Sequence, residues 1–203
     1  MYYNIAHRHA LTSMENMFRQ DHSVFQVVDY DPENLRIREK GTFQGYSDSS
    51  DWARGLAWGI YGYAMCFRET GDRIFLDQAE RIARYTLDHP NLTTDHIPYW
   101  DLSAPGIPDE PRDAAAAAIL ASALIELSSF PETGEPDMYL TSAKTIIRSL
   151  SSEDYIAGEN ENSNFVLKHC TGNYPAKSEV DVPLIYADYY FLEALIRFKN
   201  LNR

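Results

Sequence analysis

Residues 55–69, GLAWGIYGYAMCFRE, decide the fold class of this chain. They form an apolar run that is long enough for a buried helix. Residues 75–87, FLDQAERIARYTL, follow after the turn Thr70-Gly71-Asp72. Their apolar side chains recur at spacings of three and four, which predicts an amphipathic helix that covers the first one. The two segments therefore predict a hairpin of one inner and one outer helix.

The same pair of helices recurs along the chain. Residues 114–127, AAAAAILASALIEL, are again small and apolar, and residues 139–147, YLTSAKTII, are again amphipathic. The chain opens on an outer-type helix, YYNIAHRHALTSM, and closes on an inner-type helix at residues 184–199, LIYADYYFLEALIRFK. Such long-period self-similarity is typical of repeat architectures and predicts six helices that alternate between outer and inner.

Two segments interrupt the helical pattern. Residues 25–30, FQVVDY, are β-prone and are followed by a turn at residues 31–34 and by LRIR at residues 35–38, which predicts a short β-hairpin. Residues 89–111 contain five prolines and a glycine, so they are expected to form a long loop. Long loops in compact domains are often functional.

The alternating order predicts an all-α fold, part of an α/α toroid with about six helices and a short β-hairpin, in one domain over residues 1–203. Because the first helix is of the outer type, its inner partner is expected upstream, and the N-terminal half of the toroid is expected to be missing. An open half-ring leaves apolar inner faces in water. We therefore expect either further helices or a partner, through self-association or association with the missing half, to complete the ring.

Composition excludes several classes of partner. Of the 203 residues, 44% are apolar, and the formal net charge is −12 without a cluster of Lys and Arg. Nucleic acid and anionic membrane surfaces are therefore not expected as partners. Cys66, Cys170 and the histidines lack metal-ligand spacing, so we expect no metal and no other cofactor. No signal-peptide core is present at the start, and with the N-terminal half expected to be missing, both cytoplasm and periplasm stay open.

The first candidate site lies at the start of the first inner helix. The Ser/Asp run at residues 47–51 is an N-cap signal that places the helix start near Ser50, so Arg54 and Trp58 share one face. A guanidinium beside an indole suits a sugar that carries a carboxylate, because the guanidinium holds oxygens while the ring stacks on C–H groups. The alternative is that Arg54 is buried and pairs with an aspartate of the chain.

Three further candidates precede the other inner helices. Trp100, in the proline-rich loop, is either a lid aromatic or a plug. Asp113 lies at the start of an inner helix, where the helix dipole favours a carboxylate, and this structural role is the alternative to a substrate contact. Ser178 lies in residues 177–183, KSEVDVP, and capping of the last helix by Ser178 or Asp181 is the alternative to its role in binding.

Four long runs carry a resemblance to a known family. They are FQVVDYDP, GTFQGYSDSSDWARGLAWGIYGYAMCFRETGD, IPYWDLSAPGIPDEPRDAAAAAI and KSEVDVPLIYADYYFLEAL. Together they resemble the C-terminal half of the unsaturated glucuronyl hydrolases over nearly the whole chain. The resemblance implies a six-hairpin α/α toroid in the full enzyme, and a glycoside hydrolase that removes a 4,5-unsaturated uronic acid from glycosaminoglycan oligosaccharides.

The resemblance also implies roles for individual residues. Arg54, Trp58, Gln44 and Thr42 would contact the sugar of an unsaturated glycosaminoglycan disaccharide. Many family members have His where this chain has Gln26, so that contact departs from the pattern.

The catalytic residues that the resemblance implies are expected outside this chain. The family's catalytic acid protonates C4 while water adds at C5, and its two catalytic aspartates lie in the N-terminal half. No position here matches them, so they are expected upstream of Met1. This chain alone is therefore expected to be inactive.

Two alternatives stay open at this point. An unsaturated rhamnogalacturonyl hydrolase shares the toroid and the chemistry, although the ending SEVDVPLIYADYYFLEAL favours the glucuronyl enzymes. A noncatalytic sugar-binding protein of the helical-repeat type is the second alternative. Two aspartates on helices encoded upstream would favour the enzyme. The sequence does not distinguish chondroitin, hyaluronan and heparin fragments as the source of the substrate.

Overall fold

The computed structural model describes residues 2–201, and six α-helices within them follow the predicted order. The helices are α1 Tyr2–Met17, α2 Ala53–Thr70, α3 Arg73–Leu87, α4 Ala114–Ser128, α5 Pro136–Leu150 and α6 Ile185–Leu201. Two antiparallel hairpins pair β1 Val27–Tyr30 with β2 Ile37–Gly41 and β3 Cys170–Asn173 with β4 Ser178–Val182. A short 3₁₀ turn spans Asn162–Asn164.

Helix α4 lies at the centre of the packing. It contacts α2 and α6 on its two sides and α5 behind it, and α3 packs on α2. Every residue from Ala114 to Leu127 is buried, and the run of alanines lets the neighbouring helices approach closely. Helices α2, α4 and α6 thus form the inner layer and α3 and α5 the outer layer, as the sequence predicts. Helix α1 buries Ala10 and contacts the rest sparsely.

The boundary between α2 and α3 follows the predicted turn. Gly71 adopts φ 70° and its N–H donates to the carbonyl of Phe67, which ends α2 in a left-handed cap that favours glycine. The side chain of Asp72 accepts from the N–H of Ile74 and caps α3.

The predicted start of α2 near Ser50 is wrong. The helix begins at Ala53, and Trp52 at its N-cap position makes no side-chain capping bond. The hydroxyl of Ser50 instead donates to Asp101 Oδ2 at 2.6 Å. The Ser50 side chain, which the local pattern predicted to cap α2, therefore forms a hydrogen bond with the carboxylate of Asp101 in a distant loop.

The first hairpin confirms the prediction, with Val28 opposite Lys40, whereas the second was not predicted. Ser178 and Asp181 lie on β4 and α6 begins at Ile185, so the predicted capping of α6 by either residue is wrong. The second hairpin is held by a tertiary contact, because the N–H of Ala114 donates to the carbonyl of His169.

Both ends of the helical arc expose apolar side chains. Helix α6 exposes a stripe of four residues at helical spacing, and α1 exposes three near its start; these are Ile185, Tyr189, Leu192 and Ile196, and Tyr2, Tyr3 and Ile5. The expectation that further helices or a partner complete the ring stays a prediction. No helix among residues 2–201 has the length and apolar character that a membrane crossing requires.

Candidate functional site

A groove of about 660 Å³ lies between α1 and α2 and contains three of the predicted contacts, Gln26, Gln44 and Trp58. Gly59 and Gly62 of α2 also line it, and a Cβ built on Gly62 would meet no atom within 4 Å. At these two positions α2 carries no side chain that would fill the groove. Most other lining groups are apolar, so the polar groups of the glutamines are placed against a largely apolar wall.

Gln26 organises the polar side of the groove. Its Oε1 accepts from Thr42 Oγ1 and from the backbone N–H groups of Phe43 and Gln44, each at 2.7 Å. Its Nε2 donates to Gln44 Oε1 at 2.8 Å. The predicted contacts Gln26, Thr42 and Gln44 therefore form one connected cluster. Three donors converge on a single carboxamide oxygen, a role in holding the loop that sequence reasoning did not assign to Gln26.

Trp58 presents an aromatic platform beside this cluster. Its side chain is 37% exposed, while Trp52 next to it is buried. The Trp58 ring lies 6.0 Å from the Trp52 ring and 6.1 Å from the Tyr186 ring, centroid to centroid. An indole that is held on two sides and open to solvent suits stacking on the C–H groups of a sugar.

Arg54 occupies a different environment. Its side chain is 1% exposed, and Nη1 lies 2.5 Å from Oδ2 of Asp113, which is 0% exposed. The guanidinium also donates to the carbonyls of Thr171 and Gly172. Asp113 additionally accepts from the N–H of Ala115 and caps α4.

This arrangement matches the structural alternatives that the sequence left open for both residues. The Arg54–Asp113 pair ties α2, α4 and β3 together and is enclosed by protein. Neither group has an open face toward the groove, so a direct sugar contact by Arg54 or Asp113 stays a prediction.

Trp100 and Ser178 are also separate from the groove. Trp100 is 2% exposed, its Nε1 donates to Glu110 Oε2 at 2.9 Å, and its ring lies 4.7 Å from that of Tyr174. It fills the proline-rich loop as a plug, the second of its two predicted roles. Ser178 is exposed on β4 opposite Asn173. The structure therefore does not bring Trp100 or Ser178 together with Trp58, and binding by either stays a prediction.

Two buried aspartates join the loop before α2 to the proline-rich loop. Asp101 is 0% exposed and accepts from Ser50 Oγ and from the N–H groups of Tyr46 and Ser103. Burial raises the pKa of Asp51, but hydrogen bonds from His89, Ser103 and Tyr85 outweigh it and hold that pKa below its usual value. The Ser/Asp run at residues 47–51 thus holds the proline-rich loop through hydrogen bonds. A Ser/Asp pattern in the sequence does not distinguish this role from a helix cap.

The described part of the chain, residues 2–201, places no group of three or more His, Cys, Asp or Glu side chains so that they could hold a metal ion.

The catalytic aspartates that the resemblance implies are expected upstream of Met1. Met1 itself lies outside the described residues, so the structure does not reach this point of the chain. The expected position of the catalytic residues therefore stays a prediction.

Comparison with known proteins finds relatives over nearly the whole chain. It is 46% identical over 201 residues to an unsaturated glucuronyl hydrolase of Formosa agariphila, which covers 99% of this chain and 50% of that protein. It is 37% identical over 199 residues to an unsaturated chondroitin disaccharide hydrolase of Streptococcus pneumoniae, and the match covers 97% of this chain and 50% of that protein. No protein-family model matches.

Solved structures agree with the sequence matches. The fold superimposes with a TM-score of 0.92 on an unsaturated glucuronyl hydrolase specific for heparin, at 43% identity, covering 96% of this chain and 52% of that one. The TM-score is 0.90 for the unsaturated glucuronyl hydrolase of Bacillus sp. GL1, at 34% identity, covering 98% and 52%. The chain spans about half the length of the curated relatives that it matches.

Proposed function

The chain is homologous to one half of the unsaturated glucuronyl hydrolases and belongs to their family, and on this premise we propose that it takes part in removing a 4,5-unsaturated uronic acid from glycosaminoglycan oligosaccharides. The six helices within residues 2–201 are part of an α/α toroid. That the matched half is the C-terminal one is part of the proposal. Within the reaction, this chain supplies a wall of the substrate pocket.

The observation that carries the proposal is the half-exposed Trp58 beside the Gln26–Gln44 cluster. A sugar offers C–H groups for the indole and hydroxyl groups for amide donors and acceptors. With a net charge of −12, the chain offers no broad positive field to an anionic sugar, so local hydrogen bonds must position it.

The chemistry that we propose for the whole enzyme needs a carboxylic acid beside the sugar. The acid gives its proton to C4 of the vinyl ether, water adds its oxygen to C5, and the resulting hemiketal opens to release the next sugar. Asp101 and Asp113, which are both 0% exposed, already have hydrogen-bond or ion-pair partners within the chain. Asp113 pairs with Arg54, and Asp101 accepts from several donors, so neither is free to protonate a substrate. This supports an acid from outside the chain, and the chain alone is then inactive.

The substrate class follows the relatives. A Streptococcus agalactiae variant structure holds dGlcA-GalNAc6S, and another structure in the family holds dGlcA-Glc-Rha-Glc. Relatives named for glucuronyl and chondroitin substrates favour an unsaturated glucuronyl sugar over an unsaturated rhamnogalacturonyl one for this chain.

Calorimetric titration of the purified chain with an unsaturated chondroitin disaccharide tests the proposal. Trp58→Ala should weaken binding about 5- to 10-fold, because aromatic stacking contributes about 1–1.4 kcal/mol. The matched control is Tyr189→Ala, which removes an aromatic ring that is 58% exposed on α6 and does not line the groove. Absence of binding by the unaltered chain, or equal affinity of both variants with intact circular dichroism, would contradict the proposal.

A further inference from the structure

Side chains of α2 and α6 meet above one face of α4 in successive steps. Trp58 and Tyr186 form the first step, with ring centroids 6.1 Å apart. One turn further, Tyr61 and Tyr190 pack edge to face at 5.3 Å, and the hydroxyl of Tyr61 donates to Glu193 Oε1 at 3.1 Å. Trp58 and Tyr61 of α2 thus contact Tyr186, Tyr190 and Glu193 of α6. We call these five residues the α2–α6 ladder.

Charged groups fix the far end of the ladder. Glu193 Oε2 accepts from Ser122 Oγ of α4 at 2.5 Å. Arg197 of α6 forms an ion pair with the buried Glu126 of α4, which also pairs with Arg68 of α2. These bonds link all three inner helices. Because α6 is held against α4 at this end, the position of its first turn, where Tyr186 lies, is also constrained.

Tyr186 connects the aromatic platform with the buried ion pair. It is the second residue of α6 and is half-buried. Burial raises the pKa of its hydroxyl to about 12, with Arg54 acting in the opposite direction and Asp113 adding to the increase. The phenol is therefore neutral near pH 7. Its ring contacts Trp58 while its hydroxyl lies in the field of the Arg54–Asp113 pair.

We infer that Tyr186 is a positioning residue for Trp58. A tryptophan on a helix surface can adopt several staggered side-chain conformations. Trp52 contacts the indole from the N-cap position of α2, and Tyr186 contacts it from α6 at a 47° tilt. Together with a hydrogen bond between the side chains of Trp58 and Tyr190, these two ring contacts hold the indole where it lines the groove. The consequence for sugar affinity rests on the function proposed above, whereas the control of indole orientation does not.

Quenching of tryptophan fluorescence by acrylamide reports this orientation. Trp52 and Trp100 are 6% and 2% exposed, so most of the quenchable emission comes from Trp58 at 37%. In the 203-residue chain, Tyr186→Ala should raise the quenching constant about twofold and weaken binding of the unsaturated disaccharide about fivefold, the equivalent of about 1 kcal/mol of aromatic contact. Tyr186→Phe keeps the ring and should restore both values. Leu192→Ala, which changes a side chain that is 49% exposed on α6, should change neither.

The possible outcomes separate the inference from the proposed function. Unchanged quenching in Tyr186→Ala, with circular dichroism like that of the unaltered chain, overturns the positioning role. Increased quenching with unchanged affinity supports the role of Tyr186 in orientation and contradicts the predicted effect of that orientation on sugar affinity. If the unaltered chain binds no disaccharide, the proposed function fails while the quenching comparison still decides the orientation. Tyr186→Leu, which keeps apolar volume without a planar ring, replaces Tyr186→Ala if that variant does not fold.

Discussion

Replacing Asp113 by Asn should destabilise the chain strongly while keeping the shape of the side chain. The change removes the charge that faces Arg54, and the two side chains are 0% and 1% exposed. An unpaired buried guanidinium costs about 3–5 kcal/mol. A domain of this size loses about 2–4 °C in Tm per kcal/mol, so Tm should fall by about 6–20 °C. Thermal and urea unfolding followed by circular dichroism measure both quantities.

Asp77→Asn is the matched control for this substitution. Asp77 pairs with Arg73 at 2.6 Å on the surface of α3, where the side chains are 38% and 53% exposed. Loss of an exposed pair costs below about 1 kcal/mol. Adding Arg54→Met to Asp113→Asn should recover part of the lost stability, since no buried charge then stays unpaired. Equal losses for Asp113→Asn and Asp77→Asn would refute the conclusion that the Arg54–Asp113 pair is enclosed.

Two further predictions concern single positions. Gly71→Ala should lower the unfolding free energy by about 1 kcal/mol because φ is 70° at this position. Gly62→Ala, inside α2 with open space around it, should raise the unfolding free energy by about 0.5–1 kcal/mol. Urea unfolding of both variants checks that the two changes have opposite signs. Asp51→Asn should lower stability at pH 7, and the deficit should shrink as pH falls below about 4, because a carboxyl whose pKa is lowered by folding stabilises above its unfolded pKa and loses this contribution on protonation. Equal deficits at pH 7 and pH 3 would exclude that role for the Asp51 charge.

The sequence was sufficient for the helical order because each helix carries its own periodic signal. The Ala-rich run of α4 and the amphipathic pattern of α3 show which helices are inner and which are outer, and both are as expected. The predicted hairpin brings Gln26 to Thr42 and Gln44, because Gln26 directly precedes its first strand and Thr42 directly follows its second.

Features that depend on distant residues could not be predicted in this way. The predicted helix cap at Ser50 is wrong because the Ser50 hydroxyl donates its hydrogen bond to Asp101 of the proline-rich loop. The second hairpin is held by the start of α4 rather than by an alternating pattern of its own. The sequence offered two environments for Arg54, and only the fold shows that Asp113 and the carbonyl groups of β3 enclose its guanidinium.

Loss of ultraviolet absorbance from the C4=C5 double bond tests the central claim most directly. The claim is that this chain supplies a sugar-binding wall and that the catalytic acid lies outside it. With an unsaturated chondroitin disaccharide, we expect no loss above the buffer rate from the purified 203-residue chain. A chimera in which the chain replaces the matching half of the unsaturated chondroitin disaccharide hydrolase of Streptococcus pneumoniae should hydrolyse the disaccharide. Turnover by the chain alone at about 1 s⁻¹ or faster, a rate typical of enzymes, would contradict the claim and make an aspartate of this chain the proton donor.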